Sequence, residues 1–187
     1  MKRRTIDTKK MILNAILLGI GFILHQVLPA LAAGITPDMT LVMLFCIMVI
    51  NRESYKTCLV SGIITAIFSA LATKFPMGQI PNFVDKVVTM HVMYFFMKSL
   101  YMLPVMNRIG KKADQIAVVS MTAIGTLVSG VVFLTVAYLM AGLPGGFGVL
   151  FVSVVLPTLV FNMVACLVLY NVPVSYTHLT LPTILLV

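Results

Sequence analysis

From Met11 to Leu28 the chain runs 18 residues without a charged side chain, and comparable apolar stretches recur along its length. A run of about 20 apolar residues matches the thickness of a bilayer's hydrocarbon core. In lipid every backbone N–H and C=O has to find a partner inside the protein, so a continuous apolar run of that length forms a helix. Further stretches are read at Pro37–Asn51, Thr57–Thr73, Phe83–Leu103, Ala113–Met140 and Val149–Tyr170. The expected fold class is therefore an all-α integral membrane protein, a six-transmembrane-helix bundle over residues 11–171. Composition agrees: 60% of the residues are hydrophobic and 10% charged, against roughly 25% charged in soluble domains. Pro37 suits a first helical position, with Asp38 in the first turn, and Pro157 is expected to kink the sixth span.

The net charge of +8 does not indicate nucleic acid. The basic residues flank apolar segments, and no RNA- or DNA-binding motif occurs. Lys2, Arg3, Arg4, Lys9 and Lys10 precede span one, Arg52 and Lys56 follow span two, and Arg108, Lys111 and Lys112 follow span four. Those ten lie on one side, against Lys74 alone in the opposite loops. The positive-inside rule then puts both termini, including the basic tail 1–10, in the cytoplasm. Span one exceeds the h-region of a signal peptide and is read as a retained helix. The outer loops are Pro29–Thr36, Lys74–Asn82 and Ala141–Gly148, rich in Gly and Pro, and function is expected on that side. Residues 172–187 depart in style from the spans and resemble translated sequencing-adaptor tails, so they are read as artefactual.

The segment from Phe75 to Lys86 packs two prolines, a glycine, an amide pair and an Asp–Lys dipeptide between apolar runs. Such a segment is costly in a membrane unless it handles something polar, and it is read as the gate and part of the wall of a small-solute site. Asn82, Asp85, Lys86 and Thr89 recur at helical spacing, so they share a face. Asn82 as N-cap with Asp85 as its capping-box partner is an alternative account, and Lys86 could snorkel to the outer surface. Asp38 could hold a ligand ammonium or serve only the helix start. His25, His91 and Asn162 could join neighbouring helices, and either histidine could relay protons. Phe75, Met77, Phe83 and Phe147 could line an aromatic-sized pocket. Ala15 and Gly19 form a small-xxx-small pair, suited to internal packing or to docking another membrane subunit.

Absences narrow the function. There is no phosphate-binding G-x-x-x-x-G-K-[ST] loop, so the chain cannot hydrolyse ATP, and neither H-E-x-x-H nor G-x-S-x-G occurs, so an enzyme is not expected. Cys46, Cys58 and Cys166 lack metal-ligand spacing and read as small buried hydrophobes. No cofactor or metal is expected.

The segments Gly34–Met39, Ala70–Asn82 with Asp85–Lys86, and Gly142–Phe147 with Val155–Pro157 resemble the bacterial tryptophan-transporter family. That family is grouped with the substrate-binding subunits (S components) of energy-coupling factor (ECF) transporters. The resemblance covers about residues 10–171, and Gly78–Asn82 with Asp85–Lys86 is its most specific part. It implies an outward-opening site under the three outer loops. It also implies that the Ala15–Gly19 face packs on a shared transmembrane coupling subunit joined to two cytoplasmic ATPases. Tryptophan chemistry fits the residues: its carboxylate needs Lys86, Lys74 or helix N-terminal N–H groups, and its ammonium needs Asp38 or Asp85. The indole N–H needs an acceptor such as Gln79 or Asn162, and the ring needs apolar walls. The competing reading is a stand-alone secondary transporter coupled to protons through Asp85 or His91.

Overall fold

Each apolar stretch forms a helix in the computed structural model, which describes residues 8–29 and 36–179. Lys2, Arg3, Arg4, the loop residues Gly34 and Ile35, and the end of the tail from residue 180 lie outside the described residues. The helices are α1 (Thr8–Val27), α2 (Met39–Ile50), α3 (Tyr55–Ala72), α4 (Gln79–Met102), a short α5 (Pro104–Ile109), α6 (Ala113–Ala141), α7 (Phe147–Leu150) and α8 (Leu156–Leu179). A 3-10 turn, Gly110–Lys112, leads into α6, and a π turn, Phe151–Val155, joins α7 to α8. α1, α3, α6 and the continuous stretch Phe147–Leu169 are long and apolar enough to cross a membrane.

The short helix α2 organises the bundle. It is apolar on every face, and each residue from Met39 to Val49 is buried. A helix without a polar side belongs in the middle, and α2 touches α1, α3, α4, α6 and α8. Its 12 residues span about 18 Å at 1.5 Å per residue, well short of a ~30 Å hydrocarbon core. One end turns at Asn51 into α3, so the other end stops inside the bundle. A recessed helix N-terminus leaves polar backbone groups deep in the protein, and a cavity forms there.

Small residues let the long helices close in. A Cβ on Gly125 of α6 would lie 2.2 Å from the ring of Phe45 in α2, and one on Gly130 would lie 2.5 Å from Val155. The outward faces stay apolar, with Ile12, Ile16 and Ile23 on α1 and Val160, Val164 and Val168 on α8 all exposed. Such faces belong against lipid tails.

Two local expectations, the starts of α4 and α2, are corrected. α4 begins at Gln79, with Gly78 as its N-cap, so Asn82 is not the cap and Asp85 is not its N3 partner. Pro81 lies in the first turn, where a helix needs no N–H from it, so it extends the helix instead of ending the loop. Likewise Asp38, not a residue before it, caps α2, because its carboxylate accepts the Leu41 N–H at 3.0 Å. A π turn immediately precedes Pro157, and at its end Leu156 N–H reaches back to Phe151 O. The wide turn puts the adjacent Val154 and Val155 both on the buried side.

Candidate binding site

The α3–α4 connection is compressed into a few residues. Phe75 N–H donates to Thr73 Oγ1 at 3.3 Å, and Gly78 N–H closes a turn on Phe75 O at 3.0 Å. Met77 takes a left-handed φ of 55°, uncommon without Gly. Asn82 then donates to both Thr73 Oγ1 and Gly78 O, each at 2.9 Å. Lys74 reaches across to α1, donating to Leu28 O at 2.9 Å and Gln26 O at 3.4 Å. A lysine there satisfies carbonyls that a helix C-terminus leaves open. His25, one turn back on α1, donates to Pro37 O at 3.0 Å, and its other ring nitrogen meets Thr36 Oγ1 at 3.2 Å.

Beneath this connection three ionisable groups meet. Lys86 Nζ contacts Asp38 Oδ2 at 2.7 Å, the Asp85 carboxylate and Ser129 Oγ at 3.3 Å. Its three N–H donors are thereby matched by three acceptors. Asp85 also accepts from Thr89 at 2.9 Å and Ser129 at 2.8 Å. Asp38 accepts from Thr40 at 2.6 Å, and its backbone N–H donates to Asn162 Oδ1 at 3.1 Å. Asn162 donates in turn to Thr126 Oγ1 at 3.1 Å. The Lys86 side chain is 2% exposed, so it does not snorkel. Snorkelling fails because two carboxylates deeper in the bundle hold the ammonium. Asp85 is 1% exposed and Asp38 12%. The cluster therefore has one carboxylate more than it has ammonium groups, and the more open carboxylate is Asp38.

The cluster forms one wall of a cavity with about 620 Å³ of unfilled space, counting its open mouth. Phe75, Phe133, Leu134, Val154 and Val155 make the apolar wall, and Phe75 meets Phe133 edge-on at 5.4 Å between centroids. Exposed Lys74 stands on the rim. Such a site suits a molecule with a charged head and an apolar or aromatic body.

The family described as the tryptophan transporter TrpP has a sequence model that matches residues 7–176. The chain belongs to this TrpP family. It is 41% identical over 167 residues to a probable tryptophan transport protein of Clostridium perfringens, covering 89% of this chain and 91% of the relative. A Bacillus subtilis protein with the same description is 42% identical over 166 residues, covering 88% and 90%. One from Clostridium acetobutylicum is 35% identical over 164 residues, covering 88% and 91%. No solved structure matches. TrpP is a family of transporters and not of enzymes, and the chain is a multi-pass membrane protein.

In this TrpP-family chain, Asp38, Lys74, Phe75, Asn82, Asp85, Lys86 and Asn162 all line the cavity, and Thr89 stands behind Asp85. Gln79 is exposed and off the wall, as is Phe147 at 40% exposure. The sequence reading missed Thr126, Ser129, Gly130 and Phe133 of α6 and Thr158 of α8. The α6 set has i, i+3, i+4, i+7 spacing, a signal present in the sequence but hidden by neighbours as apolar as any lipid-facing residue. Ala15 is exposed, and nothing lies within 4 Å of a Cβ built on Gly19. This small pair therefore faces out of the bundle, while Gly21 packs on Met43.

Proposed function

We propose that the chain captures tryptophan, or a closely related aromatic or indole solute, in this cavity from the outer face of the bacterial cell membrane. The carrying observation is the surplus carboxylate beside an aromatic wall. Lys86 is fully engaged, so the ligand ammonium goes to Asp38, the more open acid. The ligand carboxylate goes to Lys74 on the rim, which keeps one N–H without a partner among the described residues. The indole enters the Phe75–Phe133 side. The printed descriptions of the relatives support tryptophan as the solute.

Uptake in this reading depends on a separate ECF-type coupling subunit and its ATPase pair, since the chain has no nucleotide-binding loop. The outward-facing Ala15–Gly19 pair supports that docking. The proton-coupled alternative leans on Asp85, because His91 donates to Val87 O within its own helix and its ring meets Tyr55 edge-on. Uptake by vesicles separates the two. The coupled reading expects uptake only with the coupling subunit and ATP, and uptake driven by a proton gradient alone contradicts it.

A further inference from the structure

One polar group on the cavity wall has no role in the network above. Thr158 of α8 lines the cavity and is 7% exposed. Its hydroxyl is buried and has no hydrogen-bond partner among the described residues. Threonines within helices usually turn the hydroxyl onto the carbonyl one turn back, as Thr65 does to Ser61 O at 2.8 Å and Thr135 to Val131 O at 2.7 Å. Thr158 forgoes that bond. The other buried polar side chains on this wall are all engaged, including Asn162, whose oxygen takes the Asp38 N–H. Unsatisfied buried hydroxyls are rare enough that each one calls for a reason.

Its position supplies one. Along the π turn and α8 the cavity face reads Val154, Val155, Thr158, Asn162. Asn162 marks the level of the ionic cluster, while Val154 and Val155 pack with Phe75, Phe133 and Leu134. Thr158 stands between, about 6 Å along the helix from Asn162. An amino acid with its ammonium at Asp38 and its ring against the apolar wall brings its first ring atoms to that level. Of the two acceptors the sequence suggested, Asn162 already takes the Asp38 N–H on its oxygen and sits at the level of the ionic cluster, and Gln79 is off the wall.

Resting on the tryptophan reading above, we infer that Thr158 is a specificity-determining residue whose hydroxyl accepts the indole N–H. A phenylalanine in the same pose leaves the hydroxyl orphaned. A site built around a polar group discriminates against the analogue that lacks its partner.

The test compares tryptophan with 3-(benzothiophen-3-yl)alanine, in which sulfur replaces the indole N–H. Affinities are measured on the purified full chain for wild type, Thr158→Val and Thr158→Ser. Wild type is expected to prefer tryptophan by roughly three- to tenfold, the worth of a neutral hydrogen bond. Thr158→Val removes that preference by weakening tryptophan alone, and Thr158→Ser keeps it. Equal weakening of both ligands by Thr158→Val, or no change in either, overturns the inference and leaves the cavity assignment standing. If Thr158→Val does not fold, wild type decides alone: equal affinity for the two ligands overturns it. A wild type that binds neither ligand overturns the tryptophan reading and this inference together.

Discussion

The imbalance of two carboxyl groups against one ammonium in the Asp38–Lys86–Asp85 cluster governs what each side chain there can tolerate. Removing Lys86 strands two carboxylates, and breaking a buried pair typically costs about 3–5 kcal/mol. Lys86→Met is therefore expected to lower folded yield and thermal stability sharply, read by size-exclusion profile and melting temperature in detergent. Asp38→Asn leaves Lys86 and Asp85 as a balanced pair and is expected to fold. If Lys86→Met is as stable as wild type, the cluster is not an ion network. The sequence revealed most members of this site, because Asp38, Asp85 and Lys86 are rare charges among apolar residues and have few alternative uses in a membrane. It did not reveal who pairs with whom. That depends on α2 stopping inside the bundle, which brings Asp38 to Lys86 across 48 positions of chain.

Helix spacing explains which small residues matter at the scale of elements. Gly125 and Gly130 sit where two helices touch, whereas Gly19 faces open space. Gly125→Leu forces a side chain into Phe45, and overpacking of this kind costs typically about 1–3 kcal/mol or more. It is expected to lower the melting temperature by several degrees. Gly19→Leu is expected to leave melting temperature and tryptophan binding unchanged while abolishing ATP-driven uptake, measured in vesicles with the coupling module. A Gly19→Leu protein that transports normally removes α1 as the docking face. The helices themselves were legible, since continuous apolar runs in lipid have little choice but to coil. Their ends were not. Pro81 reads as a breaker yet sits in a first turn, and the π turn before Pro157 had no signal of its own in the sequence.

For the whole molecule, the proposed orientation rests on the uneven distribution of charge. Arg52 pairs with Asp114 at 3.0 Å and stacks on Tyr101 at 4.5 Å, tying the charged loops together at the end of the bundle away from the cavity. If the basic end faces the cytoplasm, as the positive-inside rule proposes, a cysteine at Gly145 is expected to react with an impermeant reagent on intact cells, and one at Lys112 is not. The reverse pattern inverts the molecule. The central claim is that this one chain captures its solute with the Asp38 side of its cavity, before any energy-coupling partner acts. The most direct measurement is a calorimetric titration of purified wild type and Asp38→Asn with tryptophan and with indole-3-propionate, which lacks the ammonium. The account predicts saturable tryptophan binding by wild type alone, roughly ten- to hundredfold weaker in Asp38→Asn, with indole-3-propionate equally weak on both. Tryptophan affinity that Asp38→Asn leaves untouched, or a wild type that binds no tryptophan by itself, contradicts it.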